Sequence, residues 1–241
     1  MIVSEKYKFV FMCIPKTGTM MMEQILKPYG GEYKAGGKWA RHPNTIPQKY
    51  KDYFIFCIVR NPYSRAVSLW FSAIASWPRF DYGIVKTCGK EFVPFLQMLN
   101  TPKVNGGFGG LPMVSMSSFL GKIQLNRTLR FEHLEDDITT LPFWEGDSPT
   151  LKYNVRGHLR PHWSHYFRDY KNAELVQQWA EQDFERFGYD TKIPIDKNSA
   201  RKTMATTSPC VCGSGKRLGE CCNEKQIQRY FDELFTNERE S

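Results

Sequence analysis

Four things are missing from this 241-residue chain. No apolar run is long enough to cross a bilayer. The strongest early one, Lys8 to Ile14 ("KFVFMCI"), falls far short of the roughly 20 residues a spanning helix needs, and no small-residue cleavage pattern follows it. A soluble, cytoplasmic protein is therefore expected. Acidic charge is also short: 25 Asp and Glu against 33 Lys and Arg leave a formal +8. That balance favours an anionic ligand without choosing one, and alone it gives no ground to expect nucleic acid. No internal repeat or low-complexity tract is visible. Finally, the glycine-rich pattern of a Walker A loop, G-x-x-x-x-G-K-[ST], is absent, and no aspartate at a strand end is a convincing magnesium ligand. An ordinary ATPase or kinase is disfavoured.

What is present can build a core. Hydrophobic residues are 41% and aromatics 15%, enough for one large domain, alone or with a small appendage. Lys8 to Ile14 and Tyr53 to Val59 ("YFIFCIV") read as strands apolar on both faces, as central parallel strands are. Helices are expected from Thr19 until Pro28 and Gly30–Gly31, from Pro62 through "YSRAVSLWFSAIA", and over 91–99. Thr128 to Phe131 ends a weak strand entering an acidic helix, "EHLEDDITTL". A single helix is expected over "NAELVQQWAEQDFERFGY", with Gly188 as terminator. The fold class is thus α/β, a P-loop-like parallel sheet flanked by helices. Cys13 and Cys57, each in a strand-like run, are expected as buried, inert thiols.

Chemistry concentrates at two strand-to-helix turns. "CIPKTGTMM" places Lys16, Thr17, Gly18 and Thr19 where unsatisfied backbone N–H groups and the helix dipole favour an anion. "FCIVRNPYSRAVSLW" repeats the arrangement with Arg60 at the strand end and Ser68 two helical turns on. A guanidinium fork suits a terminal phosphate. Two such turns on neighbouring parallel strands would hold a ligand phosphorylated at two separated points, unlike a triphosphate.

These stretches resemble the sulfotransferase family. "PKTGT" is similar to its 5'-phosphosulfate loop and "VRNPYSRAVSLW" to its 3'-phosphate motif. "LRFEHLEDDI" resembles its strand and acidic helix, and "DFERFGY" the closing signature of its carbohydrate branch. The likeness covers roughly residues 8–190 and implies 3'-phosphoadenosine 5'-phosphosulfate as donor. Lys16, Thr17, Gly18 and Thr19 would then grip the 5'-phosphosulfate, while Arg60 and Ser68 hold the 3'-phosphate. Arg65 is either a support for that phosphate or part of an ion pair bracing the helix.

The acceptor hydroxyl needs a base, and histidine serves near neutral pH. Of the five histidines, His42 in "KWARHPNTIP" lies between the two loops and matches where carbohydrate sulfotransferases carry their base. His133 follows Glu132 at a strand end. His158 and His162 lie in a basic segment that could close over the nucleotide, and His165 is the fifth. Glu132 is the reserve base, with support of the fold as its alternative role. Lys16 is expected to steady charge growing on the bridging phosphate oxygen. The acceptor implied is a hydroxyl on a carbohydrate or glycoconjugate. Trp39, Trp77 and Phe108 are candidates to stack on a sugar face or simply to pack.

The tail carries "CVCGSGKRLGECC". Cys210, Cys212, Cys221 and Cys222 bring four soft ligands around a glycine-rich hairpin, a set that suits a closed tetrahedral zinc site. An iron–sulfur cluster would also take thiolates. The stretch resembles the SEC-C motif, a small zinc module at the ends of unrelated bacterial proteins, and implies a bacterial source. Lys216, Arg217 and the following helix would dock a protein partner. The expected organisation is a sulfotransferase domain over 1–192, a linker over 193–208, and a zinc module with terminal helix over 209–241. Two alternatives remain beside the transferase: a P-loop-like small-molecule kinase, and a non-catalytic partner-binding protein acting through the tail.

Overall fold

The computed structural model describes residues 1–34, 43–75, 88, 91–101, 113–147, 149, 163–167 and 170–193. His42, His158, His162, Trp39, Trp77, Phe108, the linker beyond Ile193, the four tail cysteines and the segment expected as a terminal helix lie outside the described residues.

Among the described residues five strands form one sheet in the order β3-β1-β2-β4-β5, where β1 is Ile2–Ser4, β2 Phe9–Met12, β3 Glu32–Tyr33, β4 Phe54–Val59 and β5 Arg127–Arg130. The expectation of a parallel sheet holds for half of it. β2, β4 and β5 are parallel, with Met12 opposite Cys57 and Val59 opposite Arg130. β1 runs antiparallel to both β2 and β3, so the sheet is mixed. Its first strand was hidden from sequence reasoning because "IVS" is three residues long, too short for periodicity to register.

The central strands β1, β2 and β4 are buried on both faces, and alternation along β2 divides two cores. Phe9, Phe11 and Cys13 face one side with Met22, Leu26, Phe56, Leu129 and Ile138. Val10, Met12 and Ile14 face the other with Ile55, Cys57, Met116 and Phe119. Burial pushes the Cys13 thiol up to about 11 and the Cys57 thiol up to about 12, consistent with inert thiols. Phe9 stacks on Phe143 at 4.3 Å and meets Phe56 edge-on at 5.8 Å.

Helix α1 is Thr19–Leu26 and α2 is Pro62–Ala75, each following a parallel strand. The others among the described residues are α3 (Phe92–Leu99), α4 (Met116–Leu120), α5 (Leu134–Ile138), α6 (Tyr170–Trp179) and α7 (Glu181–Phe187). The helix expected over 172–189 is two helices. They break at Ala180, whose φ of −120° leaves the helical region, and Gly188 closes the second at φ 62°. None of the helices among the described residues is long and apolar enough to cross a membrane.

The chain divides into two compact units, Met1–Leu151 with Tyr170–Thr191, and Lys152–Asp169 with Lys192–Ser241. The first holds the sheet and both turns. In the second, the described residues include a short 3-10 turn, Trp163–Phe167, whose two end rings meet edge-on.

Candidate functional site

The first turn begins where β2 ends. The Thr17 and Thr19 hydroxyls both donate inward to the Ile14 carbonyl, at 2.9 and 3.2 Å, and both residues are buried. Those bonds close the turn and commit both hydroxyl protons inward. Lys16 is held at φ 68° and Gly18 at φ 100°. A lysine in the left-handed region costs about 1–2 kcal/mol, and such residues cluster at ligand-binding turns. Gly18 is there by necessity: a Cβ would lie 3.2 Å from two ring carbons of Phe131. Gly18→Ala should therefore lower stability by about 1–2 kcal/mol, read as a fall of about 2–8 °C in Tm. An unchanged Tm would mean that the turn relaxes without strain.

The second turn begins where β4 ends. Arg60 Nε donates to Ser64 Oγ at 2.9 Å, and Nη1 donates to the Lys16 carbonyl at 3.3 Å. The guanidinium lies over the Phe131 ring, 4.3 Å from its centroid. Arg60 and Phe131 thus join the two turns directly. Asn61 caps α2, its Oδ1 accepting from the N–H groups of Tyr63 (3.0 Å) and Ser64 (3.2 Å). Ser68 is 8% exposed and sits one helical turn beyond Ser64, on the same face of α2.

The turn carrying Lys16 and the turn carrying Arg60 therefore meet at the carboxyl ends of adjacent parallel strands. A model of the sulfotransferase family matches residues 1–190. The chain belongs to the sulfotransferase family. No curated protein and no solved structure matches it.

In this sulfotransferase Arg65 lies behind the first turn. It is fully buried, with Nε donating to the Pro15 carbonyl at 3.1 Å and Nη2 to the Val114 carbonyl at 3.0 Å. Trp179 lies against its guanidinium, 5.1 Å from the ring centroid. Among the described residues both hydrogen bonds go to carbonyls rather than to a carboxylate, so there it braces the first turn without a direct ion pair. Burial pulls its pKa down to about 10; the Asp183 carboxylate opposes the fall and the Arg60 charge adds to it. Its Nη1 is buried without a hydrogen-bond partner among the described residues. Asp183, also fully buried, accepts from the N–H groups of Met116 (2.8 Å) and Ser117 (2.6 Å).

Glu132, the reserve base, has both carboxylate oxygens engaged: one accepts from the Asn61 N–H at 2.7 Å, the other from the Tyr189 hydroxyl at 3.0 Å. His133 beside it is exposed at the end of a 3-10 turn. Sequence reasoning passed over Ser64, Asn61, Phe131 and Asp183. Ser64 was within reach of it, lying four residues after Arg60 at a helix start. Asp183 carried a signal too, since it falls on the apolar stripe of Trp179, Ala180 and Phe184. Among the described residues no cluster of three or more His, Cys, Asp or Glu could hold a metal.

Proposed function

We propose that this sulfotransferase transfers a sulfuryl group from 3'-phosphoadenosine 5'-phosphosulfate to a hydroxyl of a carbohydrate or glycoconjugate. The observation that carries this reading is the Arg60 side chain. It reaches the Lys16 carbonyl across the two turns, so its positive charge stands between the first turn and a helix N-terminus. The backbone from Lys16 to Thr19 grips the 5'-phosphosulfate, and Arg60 with Ser68 holds the 3'-phosphate. His42, from the segment between the two loops, takes the proton of the acceptor hydroxyl. The acceptor oxygen then bonds to sulfur as the sulfur–oxygen bond to the 5'-phosphate breaks. The electron pair leaves on the bridging oxygen, where Lys16 steadies the growing charge.

Nucleotide binding tests the reading. Calorimetry should show 3'-phosphoadenosine 5'-phosphate binding well and ATP poorly. The reverse order would favour a kinase, and binding of neither would favour a partner-binding protein.

The tail belongs to the same proposal on sequence grounds alone. Cys210, Cys212, Cys221 and Cys222 supply four thiolates, a donor set that fits a closed, structural zinc site in a reducing cytoplasm. Lys216 and Arg217 would face a protein partner. Protein purified under reducing conditions should carry about one zinc per chain. Zinc-free protein with an intact tail would remove the module.

A further inference from the structure

Beyond β5 the chain turns back over the second anion loop, and two consecutive residues touch it differently. Phe131 lies against the Arg60 guanidinium and against Gly18. Glu132 takes hold of the backbone instead: its Oε1 accepts the Asn61 N–H at 2.7 Å. That N–H belongs to the peptide joining Arg60 to Asn61, so fixing it fixes the direction in which Arg60 leaves the strand. Asn61 in turn caps α2 and orders the N–H of Ser64, whose hydroxyl receives Arg60 Nε.

The far side of Glu132 is held as firmly. Its Oε2 accepts from the Tyr189 hydroxyl at 3.0 Å. Tyr189 is itself tied down, with its N–H donating to the Phe184 carbonyl and its ring under the Arg130 guanidinium at 4.6 Å. Burial first, and then the Glu132 carboxylate, push the phenol upward, so Tyr189 remains a donor throughout the neutral range. A connected path thus runs from Tyr189 through Glu132 to the peptide beside Arg60.

We propose that Glu132 is a positioning residue, which holds the Arg60 turn through the Asn61 N–H and so sets selectivity for a 3'-phosphate. The proposal rests on the assignment of Arg60 to that phosphate. It differs from a role as general base in what the side chain must supply. A base needs the carboxylate charge, whereas a positioning residue needs one acceptor toward Asn61 and one partner for Tyr189. Glutamine provides both, with Oε1 accepting from Asn61 and Nε2 donating to the Tyr189 oxygen.

The test is calorimetry on the full chain with 3'-phosphoadenosine 5'-phosphate and adenosine 5'-phosphate, each variant first checked for cooperative unfolding. Glu132→Ala should reduce the preference for the 3'-phosphate by about tenfold, as expected for a misaimed binding group. Glu132→Gln should stay within about threefold of wild type, and Tyr189→Phe should lose about threefold. In turnover, Glu132→Ala should raise the donor KM and leave kcat at saturating donor nearly unchanged. If Glu132→Ala does not fold, Glu132→Gln and Tyr189→Phe carry the test between them. A preference unchanged in Glu132→Ala, or in Tyr189→Phe should the former not fold, overturns the proposal. So does a glutamine variant with collapsed kcat, which would show that the charge is used. A wild-type chain indifferent to the 3'-phosphate would instead remove the assignment of Arg60, and this proposal with it.

Discussion

Arg60→Ala and His42→Ala should fail in opposite ways. Loss of Arg60 removes a guanidinium that lies over Phe131 and reaches both Ser64 and the Lys16 carbonyl. A hydrogen bond to a charged group contributes about 1.5–3 kcal/mol, so affinity for 3'-phosphoadenosine 5'-phosphate should fall about 10- to 150-fold. Affinity for adenosine 5'-phosphate should change far less, because it lacks the group Arg60 is proposed to hold. Arg60→Lys keeps the charge and loses the fork, so partial rescue is expected. His42→Ala should leave both affinities intact and lower kcat by about 10²–10⁴-fold, the usual contribution of a positioned base. Calorimetry and single-turnover transfer on the same preparations separate the two. Equal nucleotide preference in wild type and Arg60→Ala would take Arg60 out of the site. Full turnover in His42→Ala, with donor and acceptor saturating, would end its assignment as base.

The parts of this fold that were legible in the sequence are those where one physical constraint dominates. β2 and β4 are buried on both faces, so their sequences are apolar runs that announce themselves. The turns after them are legible because a lysine, a glycine and an arginine at strand ends have few structural reasons to be there. Periodicity served less well where tertiary contacts override it. One apolar stripe runs through Trp179, Ala180 and Phe184, yet the chain breaks at Ala180, and Asp183 on that stripe turns its carboxylate to the N–H groups of Met116 and Ser117. Nothing in the local pattern specifies that bond, which spans 67 residues.

The threonines of the first turn teach a related point. Thr17 and Thr19 invite a reading as hydroxyl donors to an anion, because their position in the turn is right. Their hydroxyls bond instead to the Ile14 carbonyl, three and five residues back along the chain. The side chains thus shape the turn from within. Arg65 works in the same sense from behind, through the Pro15 carbonyl. Much of this turn is therefore built by residues whose polar atoms face inward, and sequence shows their types without showing which way they face.

Asp183→Ala should destabilise the chain more than Gly18→Ala does. The carboxylate is fully buried and accepts two backbone N–H groups at the start of α4. Its charge also opposes the cost of burying Arg65, whose guanidinium has no exposed surface. Removing it leaves two buried donors unsatisfied and a buried cation with less compensation, a loss of about 3–5 kcal/mol. Asp183→Asn should fall between, since the amide oxygen can accept from one N–H while its NH2 group opposes the other. Urea unfolding gives the overall loss, and hydrogen exchange localises it. Protection at the amides of Met116 and Ser117 should drop first, and the loosened Arg65 should then release the Pro15 carbonyl and weaken nucleotide binding at the first turn. Wild-type exchange at those two amides in Asp183→Ala, with stability unchanged within about 0.5 kcal/mol, would show that water replaces the carboxylate without penalty.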